Sequence, residues 1–215
     1  MTNPTDSIEF ASLLCSRLCH DLLSPVGALN NGLELMADEN DPEMRERCLE
    51  LLGDSARTSA NKLKFFRLAF GSAGGFGEAV PPHEAKVAIE GMFAASGRVK
   101  IGWMVEEKML GKLASKILLN LALIAGDALV RGGQLDIGVE SRPGMTEIVV
   151  RAEGPKVVLD PDLRAALAGT LPIEGLASRT AAAWMVRQLV AEADGDIVLS
   201  PPGEPALLFG AVIPG

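Results

Sequence analysis

The sequence predicts an α+β protein in two parts, a helical hairpin followed by an α/β sandwich. In the first 70 residues the apolar positions are spaced by three and four, as in helices that pack against other helices. A glycine-rich segment, GSAGGFG, ends this pattern at residues 71–77. Beyond it, helical patterns alternate with short strand-like segments and hairpin turns, which is typical of helices on one face of a mixed sheet.

The hairpin prediction depends on two apolar seams and the break between them. The break is the sequence ADENDPE, where Asp41 is a good N-cap and Pro42 fits the first turn of a new helix. Residues 7–70 are therefore expected to form two helices joined by a short loop. The first seam is Ile8, Ala11, Cys15, Leu18, Leu22, Pro25, Leu29, Leu33 and Met36; the second is Leu49, Leu52, Ala56, Ser59, Leu63, Phe66 and Phe70.

The length of the hairpin predicts a dimer. Helices of roughly 30 residues would each be about 45 Å long, and a lone hairpin of that size buries only one stripe of each helix. We therefore expect two chains to form a dimeric four-helix bundle. The predicted boundaries are residues 1–72 for this domain and 79–215 for the sandwich domain. GSAGGFGE lacks the Lys-Ser/Thr ending of a nucleotide-binding loop and is interpreted as a linker.

The second part of the chain predicts helices and strands in a mixed order. A proline and a glycine in RPGM favour a tight turn between two of the strands. The predicted elements are a helix in PPHEAKVAIEGMFAAS, a strand in RVKIGWMVE, an apolar helix in KLASKILLNLALIAGDAL, a hairpin of QLDIGVES and TEIVVRAE, a short helix near PDLRAAL, a helix in ASRTAAAWMVRQLVAEA, and the strands DIVLS and ALLFGAVI.

Composition and charge exclude several classes of function. The chain has 215 residues, 48% of them hydrophobic, and a net charge of -8, which argues against general binding to nucleic acid. No run of eighteen apolar residues and no apolar signal core is present, so we expect a cytoplasmic protein without a membrane contact. Three cysteines, an odd number, favour reduced thiols over a disulfide framework. Proteins or small molecules are the expected partners.

His20 is the candidate reactive residue in the first helix. It lies roughly 160° around the helix from both Leu18 and Leu22, which places it on the face opposite the seam. A surface histidine without a function is the alternative, and a metal site with Cys15 and Cys19 would lack a fourth ligand. A Ser-His-Asp hydrolase would need a nucleophile elbow that is not present.

The residues after His20 resemble a known motif. HDLLSP matches the phosphoacceptor box of dimeric histidine kinases, with Asp21 beside the histidine and Pro25 at the end of the box. A proline ordinarily costs a helix interior about 3 kcal/mol, so its presence indicates a tolerated kink.

The second part resembles the ATP-binding domain of the same kinases, with key residues replaced. SKILLNLALIAGDAL is similar to the helix that carries the N box, and Asn120 matches its first asparagine. The second asparagine, which holds magnesium in the kinases, falls on Ile124. The aspartate that reads adenine falls on Ala152, and a glycine of the same box falls on Lys156. The resemblance therefore implies a degenerate domain that binds ATP poorly.

Together these features resemble the ChpT family of histidine phosphotransferases from alphaproteobacterial phosphorelays, over residues 8–213. RLCHDLLSP, GLELM and SARTSANKLKFFRLAFG are the most specific parts. The resemblance implies a homodimer that passes phosphoryl groups between the receiver domain of a hybrid histidine kinase and response regulators, including regulators of the cell cycle. It assigns His20 as the phosphoacceptor and Asp21 as the residue that orients its ring.

Such a protein would need no cofactor of its own, because the partner receiver brings magnesium. A neutral, exposed imidazole is nucleophilic without special activation. A non-catalytic scaffold and an unusual autokinase are the alternatives. The candidate residues for meeting the partner are Arg17, Leu23, Ser24 and Gly27, at helical neighbour spacing around His20, and Arg57 and Lys64 of a basic belt that includes Lys62 and Arg67, on the second helix at the level of His20. A solvated charged helix face without a partner is the alternative interpretation of the belt.

Overall fold

Two long helices form the N-terminal hairpin. The structure, a computed structural model, describes residues 4–71 and 79–214, with side chains from residue 7 onward. Helix α1 spans Pro4–Asp38 and α2 spans Pro42–Ala69. The carboxylate of Asp41 accepts hydrogen bonds from the first backbone N–H groups of α2 and caps it. The predicted hairpin and its N-cap are confirmed, whereas the predicted linker lies outside the described residues from residue 72 on.

The C-terminal part is built on a five-stranded mixed sheet. Its strands lie in the order β2-β4-β5-β7-β6, with β2 and β4 parallel and the other neighbours antiparallel. A separate antiparallel pair of two-residue strands, β1 and β3, was not predicted. The strands are β1 (Ala79–Val80), β2 (Val99–Val105), β3 (Leu110–Gly111), β4 (Gly133–Arg142), β5 (Met145–Glu153), β6 (Asp196–Leu199) and β7 (Ala206–Pro214).

The helices of this part cover one face of the sheet. Along β5, Ile148, Val150 and Ala152 are buried beneath them, while Val149 on the other face is exposed. The central helix α4 is buried along nearly its whole length. The predicted sandwich, with helices on one face of a mixed sheet, is confirmed. The helices are α3 (Pro82–Phe93), α4 (Lys112–Ala128), α5 (Pro161–Ala168) and α6 (Ala181–Glu192), with short 3-10 turns at Ala94–Ser96 and Ile173–Gly175.

Helix α6 differs from its sequence pattern for a local reason. It begins four residues after the start of its pattern, because the Thr180 hydroxyl and the backbone of Ala177 form hydrogen bonds with each other in a preceding turn.

A helix long and apolar enough to span a bilayer is not found within residues 4–71 and 79–214.

The predicted apolar seams of the hairpin are only partly buried within one chain. Inside the hairpin the helices meet at small positions such as Gly32, where an added Cβ would lie 2.9 Å from the Leu52 side chain. Leu33, Leu49 and Leu63 were predicted to lie in the helix seams and are instead exposed in the single chain. Periodicity identifies the apolar face of a helix, but it does not tell which partner covers that face.

Helix α4 is joined to the end of α2 by a buried amide. The Asn120 side-chain N–H₂ group donates to the Ala69 carbonyl at 3.1 Å and to the Lys116 carbonyl at 2.8 Å. Because the last carbonyls of a helix lack partners within it, Asn120 satisfies one at the C-terminal end of α2. A second junction joins α1 to α6, where the rings of Phe10 and Trp184 lie 4.6 Å apart.

Replacing Asn120 by alanine is expected to loosen this joint. The Ala69 carbonyl would remain buried without its partner, which costs about 2 kcal/mol of unfolding free energy. For a chain of this size that corresponds to a fall of about 4–8 °C in the midpoint of thermal unfolding, measured by circular dichroism. Asn30→Ala is the matched control, because it removes a hydrogen bond from a side-chain amide to the Glu34 carboxylate on the exposed surface of α1. An equal fall in both variants would contradict the interpretation.

Candidate functional site

His20 lies on the open side of α1. Its side chain is 82% exposed, whereas Leu18 and Leu22 are partly buried. The predicted position of His20, opposite the apolar seam, is confirmed. A side chain so exposed is accessible to a protein partner without any movement of the fold.

Asp21 fixes which ring nitrogen of His20 carries hydrogen. The His20 Nδ1 atom lies 3.2 Å from Oδ1 of Asp21. An ionised carboxylate can only accept a hydrogen bond, so the bond requires the proton to be on Nδ1. Among the described residues, Nε2 has no hydrogen-bond partner, and in this tautomer it carries the free lone pair. The arrangement provides an exposed nitrogen nucleophile.

Arg17 holds the other oxygen of Asp21. Its Nε donates to Asp21 Oδ2 at 2.9 Å, one helical turn away, and its Nη2 donates to Asp127 Oδ2 at 2.7 Å. The Arg17 side chain is 17% exposed. Burial lowers the pKa of the Arg17 guanidinium, but the two flanking carboxylates raise it more, so the net shift is upward. Loss of water raises the pKa of the Asp127 carboxyl, which Arg17 offsets only in part.

Pro25 creates an acceptor that Lys62 uses. Because proline has no N–H, the carbonyl four residues earlier in the helix, that of Asp21, loses its usual partner. The Lys62 ammonium on α2 donates to this Asp21 carbonyl at 2.8 Å. The proline of the motif thus frees a backbone carbonyl that joins α1 to α2 at the level of His20. Helix α1 continues through the proline without interruption.

A double-mutant cycle measures this coupling. Lys62→Met is expected to lower the unfolding free energy by about 1 kcal/mol, because the Asp21 carbonyl loses its donor. In the Pro25→Ala background, residue 25 regains an N–H for that carbonyl, so Lys62→Met is expected to cost roughly nothing. The measurement is urea unfolding of the four proteins. Equal costs of Lys62→Met in the two backgrounds would show that the proline and the lysine are independent.

Three of the predicted partner-binding residues surround His20 on the exposed side. Leu23 is 70% exposed and Ser24 is also exposed. A Cβ atom added to Gly27 would meet no atom within 4 Å, so the surface above this glycine is open. They form an accessible strip along α1, made of one apolar and two small residues, whereas Arg17 lies apart from it in the ion pairs described above. That these residues bind a partner stays a prediction.

The other two predicted residues lie on different faces of α2. Arg57 is exposed and pairs with Asp54 at 3.3 Å. Lys64 lies about 160° around the helix from Lys62, which points to α1, and it lines a cleft of about 240 Å³ between α2 and α3 together with His83. The level predicted for the basic belt is confirmed by Lys62, but the structure does not bring Lys64 beside His20.

Comparison with known proteins identifies the family. Residues 82–205 match the family described as the histidine phosphotransferase C-terminal domain. The chain belongs to the histidine phosphotransferase family. It is 32% identical over 199 residues to the protein phosphotransferase ChpT of Brucella abortus (strain 2308), covering 92% of this chain and 93% of the relative. A solved structure described as a bacterial phosphotransferase superimposes with a TM-score of 0.83 at 29% identity, over 98% of each chain.

This histidine phosphotransferase is therefore an enzyme of a phosphorelay. Its positions that match the nucleotide boxes of kinases carry other side chains, most of them buried. Asn120 is fully buried and bonded to α2, and Ile124 and Ala152 are buried apolar residues. Lys156 is exposed. Because position 152 is an alanine, it offers no carboxylate for the adenine amine.

Sequence reasoning on this histidine phosphotransferase missed Asp127 and the bond made by Lys62. One signal was present for Asp127, because it is a lone acidic residue in the apolar run LLNLALIAGDAL. Its partner, however, lies 110 positions earlier in the chain, beyond the reach of helical spacing. Among the described residues, no three histidine, cysteine, aspartate or glutamate side chains come together as a metal site. Cys15 and Cys19 are exposed.

Proposed function

We propose that His20 is the phosphoacceptor through which this enzyme relays phosphoryl groups. The donor would be the receiver domain of a hybrid histidine kinase, and the acceptors would be response regulators. The observation that carries the proposal is the exposed imidazole whose Nδ1 atom faces the Asp21 carboxylate. This geometry leaves Nε2 as the nucleophile on an accessible surface, which is what transfer between proteins requires.

The proposed reaction needs no net proton transfer. His20 Nε2 attacks the phosphorus of an aspartyl phosphate, the P–O bond to that aspartate breaks, and the bonding electrons leave on its carboxylate. The product is a phosphoimidazolium that keeps its hydrogen on Nδ1, and the Asp21 carboxylate stabilises the new positive charge. Attack by a second receiver's carboxylate breaks the N–P bond and restores the neutral ring.

The receiver would dock on the accessible strip beside His20. Leu23 supplies an apolar contact there, and the small residues Ser24 and Gly27 would let a partner helix approach α1. Magnesium would come with the receiver, where it neutralises the transferring group, so the enzyme itself would use no cofactor.

ATP is not expected to be the phosphoryl source. The buried apolar side chains of Ile124 and Ala152 supply neither a magnesium ligand nor an acceptor for the adenine amine. Titration with a fluorescent ATP analogue and magnesium should show no saturable binding up to millimolar concentration. Incubation with γ-labelled ATP should leave the protein unlabelled. Labelling by ATP alone would make the protein an autokinase.

Pairing of two hairpins would complete the active form. Exposed apolar residues recur on α2 at Leu49, Ala56 and Leu63, seven residues apart, and on α1 at Val26 and Leu33 with the same spacing. Heptad stripes on two adjacent helices are typical of a four-helix bundle. We propose a homodimer that buries these stripes and leaves one His20 accessible on each chain.

A phosphotransfer assay tests the function. A receiver domain carrying labelled aspartyl phosphate is mixed with the purified protein, and label is expected to move to the protein. The linkage should be labile in acid and stable in base, as for a phosphorus–nitrogen bond. A protein that binds the receiver but takes up no label would be a scaffold, and the proposal would fail.

A further inference from the structure

The C-terminal domain is connected to His20 by a chain of charged side chains. The chain runs from Asp127 on α4 to Arg17 on α1, then to Asp21 and the imidazole. Each contact uses a different atom. Asp127 accepts from the Nη2 atom of Arg17, Asp21 Oδ2 accepts from its Nε, and Asp21 Oδ1 accepts from Nδ1 of the His20 ring. All four groups are therefore held at once.

We infer that Asp127 is a positioning residue for His20, acting through Arg17 and Asp21. This inference rests on the proposed role of His20. It gives the C-terminal domain a part in the chemistry that does not involve a nucleotide: the domain holds the carboxylate that selects the nucleophilic tautomer of the histidine.

Arg17 is held by two carboxylates from different domains. A long, flexible arginine side chain loses much conformational freedom when it is fixed, and one carboxylate on its own helix gives it a weak anchor. Asp127 binds the guanidinium from the opposite domain, and the planar group is then held at two edges. The guanidinium and Asp21 are mostly shielded from water, at 17% and 12% exposure, whereas Asp127 holds Arg17 from the rim with 43% of its side chain exposed.

Asp21 is held through both of its carboxylate oxygens. Its carboxylate is free to rotate about its last bond unless both oxygens are engaged. Arg17 engages Oδ2 at 2.9 Å, and this leaves Oδ1 towards His20 Nδ1. Groups that hold a histidine's hydrogen-bond partner in place determine the tautomer and the direction of the ring. Without Asp127, the Arg17 guanidinium would be less firmly held. The Asp21 carboxylate and the His20 ring would then be less well oriented.

Ring tautomers can be measured directly, because the chain has two histidines. Nitrogen-15 shifts of the imidazoles distinguish hydrogen on Nδ1 from hydrogen on Nε2. We expect His20 of the wild-type protein to be in the Nδ1–H form. In Asp127→Asn we expect the proportions of the two tautomers to shift towards those of a free imidazole. His83, on the first turn of α3, is the internal reference and should not change.

The same variants are measured in phosphoryl transfer from a phosphorylated receiver. Asp127→Asn is expected to slow transfer about tenfold, whereas Asp127→Glu, which keeps the carboxylate, should recover most of the rate. Phe10→Leu is the matched control, because it loosens the contact of α1 with Trp184 without touching the charged chain. It should leave the tautomer and the transfer rate unchanged, even where it lowers the unfolding temperature.

The outcomes separate this inference from the function on which it rests. If His20→Ala transfers phosphate as the wild type does, the proposed phosphoacceptor is wrong. If His20→Ala is inactive while Asp127→Asn keeps the wild-type tautomer and rate, the function stands and the positioning role of Asp127 is refuted. Equal losses in Asp127→Asn and Phe10→Leu would reduce Asp127 to a structural contact. A folded circular dichroism spectrum is required of every variant.

Discussion

Replacing His20 by alanine is expected to abolish phosphoryl transfer. The variant lacks the nitrogen that forms the covalent intermediate, so the rate should fall on the order of 10⁴-fold or more. The fold should be unaffected, because the His20 side chain is almost entirely in solvent. The measurement is loss of label from a phosphorylated receiver in a single turnover, followed on a gel and compared with the receiver alone.

His83→Ala provides the matched control for this experiment. It removes the only other histidine of the sequence, which lies on α3 in the cleft beside Lys64. The control should transfer phosphate at the wild-type rate. Label that appears on His20→Ala but not on His83→Ala would move the phosphoacceptor to the second domain and overturn the assignment.

Replacing Leu63 by glutamate is expected to separate the proposed dimer. Leu63 lies in the exposed heptad stripe of α2 and is 50% exposed in the single chain. A dimer would bury this residue in both copies. In the wild type the burial of leucine stabilises the dimer, whereas in the variant each copy would have to remove a charged carboxylate from water. The dissociation constant should rise on the order of 10²-fold or more, because two such sites contribute.

Sedimentation equilibrium across micromolar concentrations measures this effect. Val130→Glu is the control, because Val130 is also about half exposed but lies on the loop after α4, away from the hairpin. It should leave the dimer intact. A wild-type protein that sediments as a monomer at these concentrations would refute the four-helix bundle.

The elements of the fold follow from local patterns in the sequence. The seams of α1 and α2 and the Asp41 cap predict the hairpin, and the proline and glycine at residues 143 and 144 predict the β4–β5 turn. Strands β1 and β3 were missed because two residues are too few for an alternating pattern. Their pairing comes from tertiary contacts rather than from propensity.

In the candidate site, too, the local features could be predicted from the sequence and the long-range contacts could not. The exposure of His20 and its neighbour Asp21 follow from helical geometry and a short motif. The Arg17–Asp127 contact joins residues that are far apart in sequence, and only the packing of α1 on α4 brings them together. The side of α2 on which Lys64 lies is likewise decided by the register of the hairpin.

That register is fixed in the middle of the hairpin as well as at its loop, where the Arg45 guanidinium donates to the Glu39 carbonyl. The bond from Lys62 to the carbonyl that Pro25 leaves free fixes the two helices at one height. A one-residue insertion next to Asp41 would have to be absorbed locally, because sliding α2 by one residue would displace Lys62 by about 1.5 Å and about 100°. An insertion between Pro25 and Lys62 that the loop does not absorb would therefore break the bond that joins the two helices at the level of His20.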